Sequence, residues 1–549
     1  MFKNAGENMS NIVKGTMLLT GATFLSKFLG MIYVIPFQSL VGESGGTLFN
    51  LAYTPYNIMI SISTIGVPLA VSKFVSKYNS LKDYETGLRM FRVGMMAMLL
   101  TGFIAFLTLF FSAEFLAGKM ITTEDIADPT QITVADVTMV IKMVSFALII
   151  VPAMSIVRGF FQGYQAMKPT AVSQVIEQIV RIAFLLIATY LVIKVYHGSI
   201  ATAVGFATFA AFIGGVAACV ILWIYWRSNK QSIERRVANQ EKRYHIPLKD
   251  LLIELFSYAG PFVLVGIATP LYQLVDQFTF ERAMTAINQR DIYEITFASI
   301  NFYGHKLVII PVTIATGLSV AMLPALTKSF TQKNYQVFNH QINQALQIIL
   351  VLVLPAAVGL LVLSDVAYGT LFGLKHITIS GPLLAWYAPV SLLYALFIVS
   401  SSVLQGINQQ RFAAVSLLVG LLVKILFNIQ LIHMFGAKGA IFGTALAVGS
   451  AVTLNLWQIK RSIHFSFKKT AKIGLLIIIF VTIMASFVLL SKWLLGLVLN
   501  YDSNRFHALI TLAVSVSVGG AIYLYLSYKS TLLERTIGTD LPILNRFLK

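Results

Sequence analysis

Gly21-Ala22-Thr23-Phe24-Leu25-Ser26-Lys27-Phe28-Leu29-Gly30-Met31-Ile32-Tyr33-Val34-Ile35-Pro36 is an apolar run with one ammonium group near its middle. From Ile12 to Gln38 the only other charge is Lys14, so the run is long enough to cross a bilayer with Lys27 far from either end. A lysine at that depth costs roughly 2.5 to 3.5 kcal/mol on insertion scales and faces a bundle interior, a partner or a watery cavity. Two readings of Lys27 follow: a snorkelling or paired lysine, or a cation placed for an anionic substrate.

The rest of the chain has the same character. Apolar residues make up 57% of the 549, charged residues 11%, and the mean hydropathy is +0.79. Soluble chains carry about 25% charge, so the composition defines an integral membrane protein. A formal charge of +19 would suggest nucleic acid in a soluble protein. In a polytopic one it reflects basic residues gathered in cytoplasmic loops, and no nucleic-acid partner is expected. The single cysteine, Cys219, excludes an intramolecular disulfide. The first apolar run is too long for a cleaved leader and is followed by Val41-Gly42-Glu43, so it reads as a retained helix.

With about 20 apolar residues per span, the pattern predicts an all-α fold of about 14 transmembrane helices. They lie near 12–38, 47–72, 93–113, 137–160, 171–193, 200–226, 251–280, 297–325, 338–363, 380–404, 412–434, 439–458, 473–491 and 506–527. On this layout 28 of the 41 lysines and arginines fall on the side of the termini and eight opposite, where Glu114, Glu124, Asp125, Asp128 and Asp136 also lie. The positive-inside rule then makes both termini cytoplasmic, in a multi-pass protein expected in the bacterial plasma membrane. Five cations, Lys27, Lys142, Arg181, Lys306 and Lys424, fall within spans, against Glu177 and Asp276 as the chief acids.

An internal repeat appears when 160–181 is laid on 403–424. Gln162-Gly163 meets Gln405-Gly406, Lys168 meets Arg411, Ala171-Val172-Ser173 meets Ala414-Val415-Ser416, and Arg181 meets Lys424, at a constant offset of 243. A second echo is Leu69-Ala70-Val71-Ser72-Lys73 against Pro324-Ala325-Leu326-Thr327-Lys328. Six intervening spans give both copies one orientation, related by an axis along the membrane normal. The expected domains are two pseudo-symmetric six-helix lobes, 1–226 and 251–462, joined by a basic linker, 227–250, with accessory spans 13 and 14 in 463–528 and an amphipathic tail, 529–549, interrupted at Pro542. Pro68, Pro152, Pro261, Pro270, Pro311, Pro355 and Pro389 interrupt spans; breaks of this kind in a two-lobe repeat suggest gating.

No phosphate-loop motif, His/Cys cluster at metal spacing or nucleophile elbow is present. The chain is expected to be no enzyme, with neither metal nor cofactor. Glu177 and Arg181 at i,i+4 would share a helix face as a structural pair. Lys424, the counterpart of Arg181, has Gly420 where the acid would be. Asp276 would partner a lysine or carry a coupling proton.

Two six-span lobes, with Gln-Gly followed by a basic residue after spans 4 and 10, resemble the multidrug/oligosaccharidyl-lipid/polysaccharide (MOP) exporter superfamily. Ser26-Lys27-Phe28-Leu29-Gly30, matching an S-R-x-x-G pattern in span 1, and His305-Lys306-Leu307 leading through Pro311 to Leu323-Pro324-Ala325-Leu326-Thr327-Lys328-Ser329 in span 8 are most similar to the MurJ-type lipid II flippase family of Gram-positive bacteria and its sporulation relatives. The resemblance implies a central cavity lined by Lys27 and Lys306, together with His305. It implies undecaprenyl-pyrophosphate glycolipid as substrate, moved from inner to outer leaflet by alternating access, with membrane lipids and cell-wall synthesis proteins as partners. The driving force would be the membrane potential or an ion gradient. Where Gram-negative members carry a further arginine in span 1 this chain has Tyr33, and 50–72 holds no cation, so Tyr33, Tyr53, Tyr56 or Asn57 would assist the pyrophosphate. The rivals are a flippase for another polyprenyl-linked polysaccharide such as a teichoic acid or capsule precursor, a cation-coupled multidrug exporter, and a scaffold or lipid-modifying enzyme of wall or spore assembly.

Overall fold

The computed structural model describes residues 18–19, 21–23, 25–64, 67–121, 132–240, 247 and 267–537. It is built of helices, and among the described residues twelve are long and apolar enough to cross a membrane. The fourteen expected spans differ from these twelve at two places. The first two spans fall in one continuous stretch, α1 (Gly21–Thr64), as two helices that meet at a kink with no loop between them. It breaks inside at Gly42, where φ is +65° and ψ −160°, a backbone region that only glycine enters at low cost. The seventh is described only from residue 267, so Pro261 and the first half of that span lie outside the described residues, as do the acidic stretch at 124–128 and the tail beyond 537.

The helices that follow are α2 (Val67–Ser80), α3 (Tyr84–Met120), α4 (Val134–Ser145), α5 (Ala147–Gly163), α6 (Met167–Tyr190), α7 (Ile200–Ala238), α8 (Ala268–Ala286), α9 (Tyr293–Ala298), α10 (His305–Thr331) and α11 (Tyr335–Val362). Then come α12 (Ser364–Phe372), α13 (Ile377–Tyr387), α14 (Val390–Gly406), α15 (Gln410–Phe435), α16 (Lys438–Ile463), α17 (Lys468–Gly496), α18 (Arg505–Lys529) and α19 (Leu532–Ile537). Arg227–Ala238, expected in a linker, continues the helix of span 6. Starts are set by side-chain caps: Asp83 accepts from the Thr86 amide at 3.1 Å, Thr133 and Asp136 form a reciprocal capping box, and Asn334 accepts from Val337. Such caps satisfy amides that have no partner in the first turn. Pro389 marks the break between α13 and α14, whereas Pro152 and Pro355 are carried inside helices.

The chain packs as two compact units, Met1–Phe278 and Thr279–Lys549. In the first, α6 lies along α7, α3 packs on α4 and α5, and α2 on α5. Gly159 and Gly163 allow the last contact, since a Cβ at either would meet the backbone oxygen of Pro68 or Ser72. Small residues four apart bring membrane helices together in this way. In the second unit α15 lies along α16, α14 packs on α10 and α11, and α17 packs on α18 and α11. Lys492 pairs with Asp365 at 2.7 Å, and Arg505 donates to the carbonyls of Thr370 and Leu371, so cations counted as loop charges tie the accessory helices to α12.

The repeat is written in the backbone as well. Gln165 and Asn408, 243 residues apart, both take a left-handed φ of 59°. Lys82 and Lys333 are also left-handed, with φ of 59° and 55°, just before the caps Asp83 and Asn334.

Candidate functional site

In the first unit the site is built around a half-buried arginine. Arg181 on α6 donates from Nη2 to the Tyr53 hydroxyl, and its guanidinium lies 5.3 Å from the centre of the same ring. Tyr53 stacks on Phe49 with centroids 4.7 Å apart and meets Tyr56 edge-on at 5.1 Å. Tyr33 and Phe37 extend the aromatic wall toward Phe49. Tyr33 and Tyr56 lie within electrostatic reach of the same guanidinium. The i, i+4 and i+7 spacing of Phe49, Tyr53 and Tyr56 puts them on one helix face, and packing of their rings anchors that face.

Glu177 does not take Arg181 as its partner, correcting the expected i,i+4 pair. Its Oε2 accepts from Nη2 of Arg158 at 2.8 Å, with both side chains less than a fifth exposed, and Arg158 Nε donates to Ser173 at 3.0 Å. A contact across α5 and α6 competes here with one along α6, and the cross-helix contact wins because Arg158 also gains Ser173. Arg158, counted from sequence as a loop cation, is thus an interior residue.

Lys27 is exposed. On its helix Thr23 and Ser26 reach Gln174 of α6 at 3.3 and 3.4 Å, so the polar residues adjoining Lys27 seat the helix on α6 while Lys27 itself is left exposed. Asn57 is half-buried one turn past Tyr53 and its carbonyl accepts from Ser61. Asp276 is buried, and the next residue, Gln277, donates to Asn50 at its carbonyl and its side-chain oxygen, at 2.8 and 3.2 Å.

In the second unit α9 passes into α10 through a π-helical turn, Ser299–Gly304, a feature that often marks functional sites. His305 follows at once, with Nδ1 2.7 Å from the Tyr387 hydroxyl and the ring edge-on to Tyr394. Lys306 Nζ lies 5.9 Å from the centre of the Phe302 ring. Its neighbour Leu307 opens an apolar groove of about 490 Å³ between α10, α11, α17 and α18, lined by Ile310, Pro311, Met484, Val488 and Val516 among others. Lys424 is buried, and its ammonium donates to Thr444 at 2.6 Å, a hydroxyl partner that the Arg181 comparison did not foretell. At the repeat positions of Arg158 and Ser173 stand Ser401 and Ser416, joined through Asn455, which donates to Ser401 at 3.1 Å and accepts from Ser416 at 2.6 Å.

Of the residues singled out from sequence, Tyr33, Tyr53, Tyr56 and Arg181 form one cluster, and His305 and Lys306 another. Sequence reasoning missed Arg158, Asn50, Gln277, Tyr387 and Tyr394. The asparagine, the glutamine and the tyrosines sit in apolar spans where their polarity was a signal. Each cluster offers cations and phenolic or imidazole groups, the donor set that suits an oxyanion.

Solved structures carry the same helical arrangement. The chain matches lipid II flippase MurJ in an inward closed conformation with a TM-score of 0.64 at 18% identity, covering 95% of this chain and 99% of that one. It matches a multidrug resistance MATE family transporter of the MOP superfamily, inward-facing, with 0.58 at 14% identity, over 79% and 98%. The chain therefore has the fold that these two membrane proteins share. A family model described as polysaccharide biosynthesis protein matches residues 12–330, and one described as MatE matches 302–430. The lipid II flippase MurJ of Bacillus subtilis (strain 168) is 44% identical over 97% of this chain and 98% of its own length. The chain belongs to the polysaccharide biosynthesis protein family, in the branch that contains that flippase.

Proposed function

We propose that this protein is a lipid II flippase, moving undecaprenyl-pyrophosphate-linked saccharide from the inner to the outer leaflet of a bacterial plasma membrane, with both termini cytoplasmic. The observation that carries the reading is 44% identity along nearly the whole length of the Bacillus subtilis lipid II flippase MurJ. The site chemistry agrees with it. Lys27 and Arg181 with its tyrosines, in the first unit, would meet the pyrophosphate, because Coulomb attraction at low effective dielectric offsets the cost of placing cations there; Lys306 is the candidate cation of the second unit. The polyprenyl tail would lie in the apolar groove that starts beside Lys306. A drug exporter for cationic substrates would be served by an acidic interior instead.

Alternating access would carry the headgroup across, driven by the membrane potential or an ion gradient; the half-buried and buried acids Glu177 and Asp276 are the groups to examine for coupling. The test is translocation of lipid II by the purified protein in proteoliposomes, with the potential imposed and collapsed. Transport of lipid II, with a drug cation ignored, supports the reading. Failure to move any polyprenyl-pyrophosphate saccharide refutes it.

A further inference from the structure

On the first unit, away from the site above, a cleft of about 580 Å³ opens between the α2–α3 turn and the end of α7. Its α7 wall is a single stripe of Ser228, Gln231, Ser232, Arg235 and Arg236, continued by the C-cap residue Asn239, whose i, i+3, i+4, i+7, i+8, i+11 spacing keeps them on one face through three turns. Lys82 and Tyr84 close the other side; Lys82 is exposed and has a left-handed φ of 59°. Three cations and several neutral donors thus converge from two separate segments. Of the nearby carboxylates, Glu234 pairs with Lys230, and Glu85 accepts at 3.1 Å from the amide of Gln240, itself a lining residue at the cleft's edge. Among the described residues no carboxylate pairs with Lys82, Arg235 or Arg236.

The cleft begins one turn after Trp223, Tyr225 and Trp226, aromatic residues of the kind that sit at headgroup level. With 39 residues, α7 is about 58 Å long at 1.5 Å per residue, well beyond a hydrocarbon core of about 30 Å. The stripe therefore stands in the headgroup layer and just past it, on the end that the proposed orientation makes cytoplasmic.

We propose that this cleft is a binding site for the phosphate of an anionic phospholipid of the inner leaflet. Arg235 and Arg236 take the phosphate oxygens and the serine, glutamine and asparagine side chains take the glycerol hydroxyls. The side of the membrane rests on the orientation proposed above; the site itself does not. Bound there, the lipid would hold α7 against the α2–α3 turn.

The test is native mass spectrometry of the full-length protein titrated with phosphatidylglycerol, and separately with phosphatidylcholine. Each cation near an anionic surface contributes about fivefold in binding, so Arg235→Gln/Arg236→Gln should retain about 25-fold less phosphatidylglycerol, and Lys82→Gln about fivefold less. Lys230→Gln, on the same helix but outside the cleft, should bind as the parent does. Sodium phosphate and pyrophosphate are then added as competitors. No competition assigns the site to lipid, and competition assigns the same oxyanion site to a solution ligand. Phosphatidylglycerol retention unchanged in the cleft variants, or matched by phosphatidylcholine, overturns the proposal. Because the readout is binding, a protein that binds in the cleft but moves no lipid II would refute the flippase reading and leave the cleft standing.

Discussion

Arg158 on α5 and Glu177 on α6 are joined at 2.8 Å, and this pairing frees Arg181 for the Tyr53 hydroxyl. Breaking a buried pair strands a charge, at a cost on the order of 3 kcal/mol. Glu177→Gln should therefore lower thermal stability in detergent, whereas Arg158→Met/Glu177→Leu should restore most of it. A double variant no more stable than the single one would show that the pair does not hold α5 to α6.

Lys27 is exposed, so its removal strands no partner, and Lys27→Gln should fold within about 0.5 kcal/mol of the parent. Its transport of lipid II should nevertheless fall by an order of magnitude or more, and Lys306→Gln should behave likewise in transport. Arginine at either position keeps the charge though not the geometry, and part of the rate should survive. Normal rates from both glutamine variants would remove these lysines from the site.

The groove offers a paired test on neighbouring glycines of α18. A Cβ at Gly520 meets nothing within 4 Å, while one at Gly519 would lie 2.5 Å from a methyl of Val488. Gly520→Phe should fold and slow translocation by filling the groove. Gly519→Ala should instead lower stability by about 1 kcal/mol, a small case of overpacking. Unchanged transport in Gly520→Phe would place the lipid tail elsewhere.

Orientation can be read from two exposed positions on either side of span 6. In a Cys219→Ser background, Tyr196→Cys should react with an impermeant thiol reagent added to intact cells, and Asn229→Cys should react only after the cells are opened. The reverse pattern would invert the topology drawn from the loop charges.

The spans themselves were legible because each is a long apolar run, and the repeat because Gln162-Gly163 and Gln405-Gly406 mark matching helix ends; two residues beyond each glycine, Gln165 and Asn408 share a left-handed backbone. Tyr33, Tyr53 and Tyr56 stood out as polar-tipped residues in apolar surroundings. What composition does not carry is the choice among competing partners. Glu177 had Arg181 one turn away on its own helix, and only the packing of α5 on α6 brings Arg158 and Ser173 closer. The direct junction of the first two spans was hidden as well: the sequence predicts a loop over 39–46, where the chain changes direction at the single residue Gly42.

The π-turn at Ser299–Gly304 also bears on how this chain should be aligned with others. Its hydrogen bonds span one residue more than those of an α-helix, so it is the footprint of an insertion absorbed locally, with helical phase preserved on either side. A relative with an unbroken helix there would be one residue shorter, and its counterparts of His305 and Lys306 would still face the same way. Gly304 is the residue that permits the wider form, because a Cβ on it would fall 2.1 Å from the Ser299 carbonyl oxygen. An alignment gap in this stretch is thus a difference in coil width, and a glycine lost at 304 should travel with a residue lost beside it.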